Sequence, residues 1–343
     1  MRITRDTLLK AAKTFVQQRT YRDRDIVCVY LSGSLIDDLP LLGGTADIDL
    51  FLIHDKPPAQ PREVIQLTPD IHLDLAHLDQ SIYNQPRELR LNPWVGSYLI
   101  KDPIVLHATQ HWFEFTQATV FSHFNQPENV IGRAIPFAEA ARQTWLDFQL
   151  DPREPDINNI RNYLQALEQS SNAVSILNGA PITERRFLLH FAERVSSLGY
   201  PSLTTDLKNL IAAQIPAEKQ LREWQKMWQN TLKQLGKQPD CPVALHPIRH
   251  PYYTRAAEAL VNDHPEAALW IMLRTWTESL LHLNDNDEYL NAWQACVSEL
   301  GLWGDSFQNQ MLKLDNYLDQ VEEILDKWSD ENGIEHNSVL SSY

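Results

Sequence analysis

The sequence predicts an α+β protein, with a mixed-sheet N-terminal domain followed by all-α helical bundles. Three observations carry that expectation. Apolar runs at about 26–32, 47–54 and 71–78 read as strands, the middle one alternating its two kinds of residue. From about residue 130 onward strand signals vanish and apolar positions recur at helical spacing. Proline and glycine breaks then divide the helical part into separate elements.

Taken in order, residues 4–19 place Leu8, Leu9, Ala12, Phe15 and Val16 on one helical stripe ahead of the first strand. Lys56-Pro57-Pro58-Ala59-Gln60-Pro61 is a loop that no helix crosses. Pro86, Asn92-Pro93 and Asp102-Pro103 interrupt residues 85–125, with a helix at 109–120. Helical patterns follow at 131–148, 156–178, 183–198, 204–213 and 217–235. Pro239, Pro242, Pro247 and Pro251 mark a linker at 239–251, after which helices recur at 252–263, 265–283, 286–300 and 305–329. The expected domains are therefore 1–125, a helical bundle at 126–238 and a second bundle at 252–335.

With 343 residues and 43% hydrophobic content, the chain can bury a substantial core. A net charge of −15 argues against a general nucleic-acid binder, since the phosphate backbone demands positive charge. Cys28, Cys241 and Cys296 are few and scattered, which fits a reducing cytoplasm. No run approaches the ~20 apolar residues of a membrane span, and the N-terminus lacks a signal-peptide stretch. A cytoplasmic protein without a membrane partner is expected.

The most informative segment runs from residue 31 to residue 53. Gly33-Ser34 leaves the first strand, and Asp47-Ile48-Asp49 opens the second. Alternation on a strand puts Asp47 and Asp49 on one face, roughly 6–7 Å apart at the backbone, with Ile48, Leu50 and Leu52 on the other. Two carboxylates on an otherwise apolar strand repel one another, and a bound Mg²⁺ or Mn²⁺ resolves that conflict. A Gly-Ser turn can bring backbone N–H groups and a hydroxyl close to phosphate oxygens. Asp74 adds a third carboxylate from the strand at 71–78, as metal ligand or general base, with His72 on its face.

In this order of parts the chain resembles the nucleotidyltransferase superfamily, whose pattern is an apolar residue, Gly-Ser, a spacer, Asp-x-Asp and a later acid. The likeness covers about the first third of the chain. It implies a catalytic domain at 1–125 in which Asp47, Asp49 and Asp74 hold Mg²⁺ or Mn²⁺. Gly33 and Ser34 would contact a nucleoside triphosphate, ATP foremost, and a nucleoside monophosphate would pass to a hydroxyl. Paired with a helical region, the plan resembles the aminoglycoside nucleotidyltransferases and implies a small, cationic acceptor. The spacer at 35–44 departs from the family in carrying Asp37 and Asp38 and no arginine, and Ala46 stands where a serine commonly precedes the first acid.

Positive charge for the phosphates then has to come from elsewhere. Thr183 reads as a helix N-cap that puts Arg185 and Arg186 in the first turn, in a region resembling the phosphate-binding segment of the aminoglycoside enzymes. Lys101 and Arg161 are lesser candidates. Trp145, Trp224, Trp228, Trp270, Trp276, Trp293 and Trp303 fall at helical spacing and read as core. His246 and His250 flank Pro247 and read as loop. Glu139 and Glu168 are helix acids that could line an acceptor pocket. Two competing functions are a catalytically weak nucleotide sensor and an antitoxin-like interaction protein of the same fold. A second copy of the chain is a candidate partner.

Overall fold

The fold was read from a computed structural model that describes residues 4–36, 41–151, 155–284 and 287–334. It is α+β. The first elements are α1 (Arg5–Arg22), β1 (Ile26–Ser32), β2 (Ala46–His54), β3 (Arg62–Thr68), β4 (Ile71–Asp79), α2 (Pro86–Leu91), α3 (Val95–Ile100), β5 (Ile104–Ala108) and α4 (Trp112–Phe124). Then come α5 (Pro127–Leu150), α6 (Ile157–Ser175), α7 (Phe187–Ser197), α8 (Ser202–Ile211) and α9 (Glu218–Leu235). The last are α10 (His250–Leu260), α11 (Pro265–Leu281), α12 (Asp287–Glu299) and α13 (Asp305–Glu331).

The chain forms two compact units. One takes residues 1–125 together with 240–259, and the other takes 126–239 together with 260–343. The proline-rich stretch expected to be a linker is thus part of the sheet unit. Residues on both sides of it join one helical unit, where the sequence suggested two bundles.

The sheet unit is built on five strands in the order β3-β4-β2-β1-β5. The β2–β4 pair is parallel and the other pairs are antiparallel, so the sheet is mixed. Alternation along β2 explains its two layers. Ile48, Leu50 and Leu52 join Val29, Leu31, Leu73 and Leu75 against Leu8, Ala12 and Val16 of α1. Phe51 and Ile53 face the other way, with Tyr30, against Leu89, Leu99, Phe113 and Val120 from α2, α3 and α4. A capping box at Thr4 and Thr7 starts α1, and Arg19 and Arg22 complement the dipole at its end. Strands β3 and β5 carry little sequence signal, and each lies at an edge of the sheet.

Residues 240–259 are more ordered than a linker needs to be. Two 3₁₀ turns, 243–245 and 247–249, lead into α10. His246 Nδ1 accepts from the Ile248 N–H at 3.3 Å, and His250 Nε2 lies 3.0 Å from the Leu245 carbonyl. Both histidines therefore serve the loop, as their proline neighbour suggested.

The helical unit consists of α5 to α9 and α11 to α13. Trp224, Trp228, Trp270, Trp276 and Trp293 are buried in it. Trp228 donates to Thr275 Oγ1 at 2.8 Å and Trp293 to Thr277 Oγ1 at 3.0 Å, so these two indole N–H groups are satisfied inside the core, whereas that of Trp276 is buried without a partner among the described residues. Glu168 on α6 pairs with Arg274 on α11 at 2.5 Å, and Arg161 pairs with Glu278 at 2.9 Å. Among the described residues no helix is long and apolar enough to cross a membrane.

Candidate active site

Register places the three acids on one face of the sheet, beyond the end of the aromatic layer. Ser32 on β1 pairs with Asp49 on β2, and Asp49 pairs in turn with Asp74 on β4. One step away, Asp47 pairs with His72. Cross-strand partners project from the same face, so Ser32, Asp49 and Asp74 form one row and Asp47 and His72 the next. Asp47, His72 and Asp74 are buried, and Asp49 is half-buried.

The Gly-Ser turn is a single 3₁₀ turn, Gly33–Leu35, leaving β1. Gly33 has φ +81°, in the left-handed region, and a Cβ there would overlap the Asp49 carboxylate. Glycine is therefore required twice over, by the backbone and by the closeness of Asp49. The Oγ atoms of Ser32 and Ser34 are both buried with no hydrogen-bond partner among the described residues. Ser32 is fully buried as a residue. Of the spacer, residues 37–40, with Asp37 and Asp38, lie outside the described residues.

Asp74, expected as a metal ligand or a general base, already has strong partners. Arg62 on β3 grips it along one edge of its guanidinium, Nε to Oδ1 at 2.6 Å and Nη2 to Oδ2 at 2.7 Å. Arg249, just ahead of α10, donates from Nη1 to Oδ2 at 2.8 Å. The Arg249 and Asp74 side chains are only 1% and 2% exposed, while that of Arg62 is 49% exposed. Arg249 also lies 5.4 Å from the ring centroids of both Tyr252 and Tyr253, a cation–π arrangement with two neighbouring rings. Tyr252 meets His72 edge-on. Arg255 pairs with Asp70, and a Cβ on Gly43 would overlap the Arg255 carbonyl, so the 41–45 turn also rests closely on α10.

These contacts decide which groups fit a divalent cation. Asp47 and Asp49 offer the hard oxygen donors that Mg²⁺ prefers, two residues apart on one strand face. The Asp74 oxygens already accept three charged N–H bonds, so as a third ligand it would have to give up part of that clamp. Among the described residues no group of three or more His, Cys, Asp or Glu side chains is arranged to hold a metal ion. Behind the site, burial pushes the Cys28 thiol up to about 12, which leaves it unsuited as a nucleophile.

Arg185 and Arg186 belong to the helical unit. They sit in the three-residue 3₁₀ turn Glu184–Arg186, with Thr183 at its N-cap position but making no side-chain cap bond. Helix α7 starts only at Phe187. Arg185 is buried, not presented on an open helix end. Arg62 and Arg249 were not singled out in the sequence. Arg62 lies in a stretch with no strand pattern, and Arg249 is 175 residues from the acid it meets.

No family model matches the chain, and no curated protein matches it either.

Proposed function

We propose that the sheet unit binds a nucleoside triphosphate and transfers its nucleoside monophosphate to an acceptor hydroxyl. The observation that supports this most is the gathering of the Gly33–Ser34 turn and the Asp47, Asp49 pair at one end of the sheet, with two buried unpartnered hydroxyls beside them. Asp47 and Asp49 would hold Mg²⁺ or Mn²⁺, which when bound supplies neutralising charge to the phosphates. Ser34 and the turn's backbone would face phosphate oxygens. The acceptor oxygen forms a bond to the α-phosphorus, the bond to the β-phosphate oxygen breaks, and pyrophosphate leaves while the hydroxyl proton passes to water. Asp74, already hydrogen-bonded at both oxygens, orients neighbouring groups and is a poor candidate for taking that proton.

ATP is the first nucleotide to test, and a small cationic molecule suits the −15 chain as acceptor. The reading sets the protein in the cytoplasm, consistent with three free cysteines, as a monomer or a homodimer. Asp49→Asn keeps the shape of the side chain and removes one unit of ligand charge. It should abolish metal-dependent pyrophosphate release and leave the thermal melt nearly unchanged. Wild-type turnover in that variant would refute the assignment.

One observation favours a second reading. Asp74 is held by two arginines and is therefore less available as a metal ligand, which suits a nucleotide sensor with little turnover. Calorimetry showing Mg²⁺-dependent ATP binding, with no pyrophosphate released over a broad acceptor panel, would select the sensor.

A further inference from the structure

We propose that Arg249 is an autoinhibitory latch whose hold on Asp74 keeps that carboxylate from a divalent cation until the latch opens. The inference rests on the reading of Asp47 and Asp49 as metal ligands and deepens it by naming what regulates the site. A carboxylate offers about four lone-pair positions, divided equally between its oxygens. Asp74 Oδ2 accepts from Arg62 Nη2 at 2.7 Å and from Arg249 Nη1 at 2.8 Å, so both of its positions are filled. Oδ1 accepts from Arg62 Nε at 2.6 Å and keeps one. Release of Arg249 returns a position on Oδ2 and lets Asp74 act with the acids beside it.

Register brings Asp74 next to Asp49, its cross-strand partner, with Asp47 in the following row. Even so, among the described residues no three such side chains are arranged to hold a metal ion. A latched Asp74 accounts for that gap between topology and side-chain geometry. Burial singles out Arg249 as the latch. Its side chain and that of Asp74 are 1% and 2% exposed, so little water competes for their bond. The Arg62 side chain is 49% exposed, where solvent weakens an ion pair.

The local backbone suits a part that opens. Arg249 ends the 3₁₀ turn at 247–249 and stands ahead of α10, not within it. Its N–H donates to the His246 carbonyl at 2.8 Å, and in the turn before it Leu245 N–H donates to the Pro242 carbonyl at 2.9 Å. Such short turns rearrange at far lower cost than a helix interior. Helix α10 is pinned separately, through Arg255 and Asp70, so the latch can swing while the helix stays docked. The Ser32 and Ser34 hydroxyls give an independent sign that the latched form is a resting state. Both Oγ atoms are buried without a partner, and Ser32 stands in the same cross-strand row as Asp49 and Asp74. A buried hydroxyl left unmet costs stability until a ligand answers it.

Titration of the full chain with Mn²⁺ alone, followed by electron paramagnetic resonance, measures the affinity of the metal site. A latch open about a tenth of the time lowers apparent affinity about tenfold, which is the gain expected from Arg249→Met. Methionine keeps an unbranched apolar stem beside Tyr252 and Tyr253. The gain should vanish when Asp74→Asn is added. A gain that survives there would come from general negative charge and would overturn the latch. Hydrogen–deuterium exchange of the wild type is the second test. Mn²⁺ should speed exchange of the Leu245, His246 and Arg249 amides, which an ordinary ligand would slow. Unchanged or slower exchange on metal binding overturns the latch even where Arg249→Met does not fold. Circular dichroism and thermal melts establish which variants are folded. If the wild type binds Mn²⁺ and folded Arg249→Met binds it no more tightly, the latch falls and the metal reading stands. If neither protein binds Mn²⁺, the metal reading falls and takes the latch with it.

Discussion

On the α1 side of the sheet, His54 Nε2 and His77 Nδ1 lie 2.9 Å apart, so one ring donates and the other accepts. Both are buried, and burial is the main reason both are held below the ordinary histidine value. The neighbouring His54 lowers His77 further, and Arg19 lowers both. Glu63, 3.5 Å from His77 Nε2, and Asp23 and Asp25 near His54 pull the other way without overcoming burial. A histidine lowered in the folded state binds fewer protons there than in the unfolded chain around pH 6. Its contribution is therefore complete above the ordinary histidine value of 6.5 and is lost as the pH falls toward the lowered values. Urea unfolding should show stability dropping on acidification below about pH 6.5, and His54→Gln should flatten that slope. An unchanged slope would exclude the pair as its source. At this scale the sequence discloses what alternation can disclose. Asp47, Asp49 and Asp74 share a face because strands repeat every two residues. The arginines on Asp74 come from 12 and 175 positions away, and no local pattern reaches that far.

Among the elements, most helices were legible because their apolar positions recur at turn spacing over many residues. Strand β3 was not. Its Arg-Glu-Val-Ile-Gln-Leu-Thr sequence is largely exposed, and it is a strand because β4 pairs with it along one edge. The 240–259 segment reads as linker for a similar reason, since its prolines are local and its acidic partners, Asp70 and Asp74, are not. Contacts between elements also set the strength of the helical unit. Arg142 on α5 donates to Asp315, Asp319 and Glu322 on α13 at 2.6 to 2.9 Å, and stands 5.3 Å from the Trp145 ring centroid. Arg142→Ala would leave three acids facing one another along α13. A loss of about 2 kcal/mol is expected, between the cost of breaking an exposed and a buried pair. The urea midpoint measures it, and added salt should recover part of the loss by screening the acids. Full stability at low salt would mean that the clamp is ornamental.

For the molecule as a whole, the fold class was readable, and the sharing of the chain between its units was not. The sheet unit is discontinuous, completed by residues that follow more than a hundred others. A fragment of residues 1–125 lacks Arg249, Tyr252 and Arg255, so the buried Asp74 loses its buried arginine and keeps the half-exposed Arg62. Such a fragment should unfold at markedly lower urea than the same fragment with 240–259 joined by a flexible linker. Equal midpoints would show that the late segment contributes nothing to the sheet unit.

That late segment also sets a timetable for synthesis. When residue 125 leaves the ribosome, every strand of the sheet exists, yet the guanidinium that answers Asp74 from within has not been made. At ordinary translation speeds the wait is on the order of ten seconds. During that interval the nascent sheet carries its acids only partly compensated, and the helices made meanwhile have time to fold first. The acid-bearing end of the sheet is thus among the last parts of the chain to be completed.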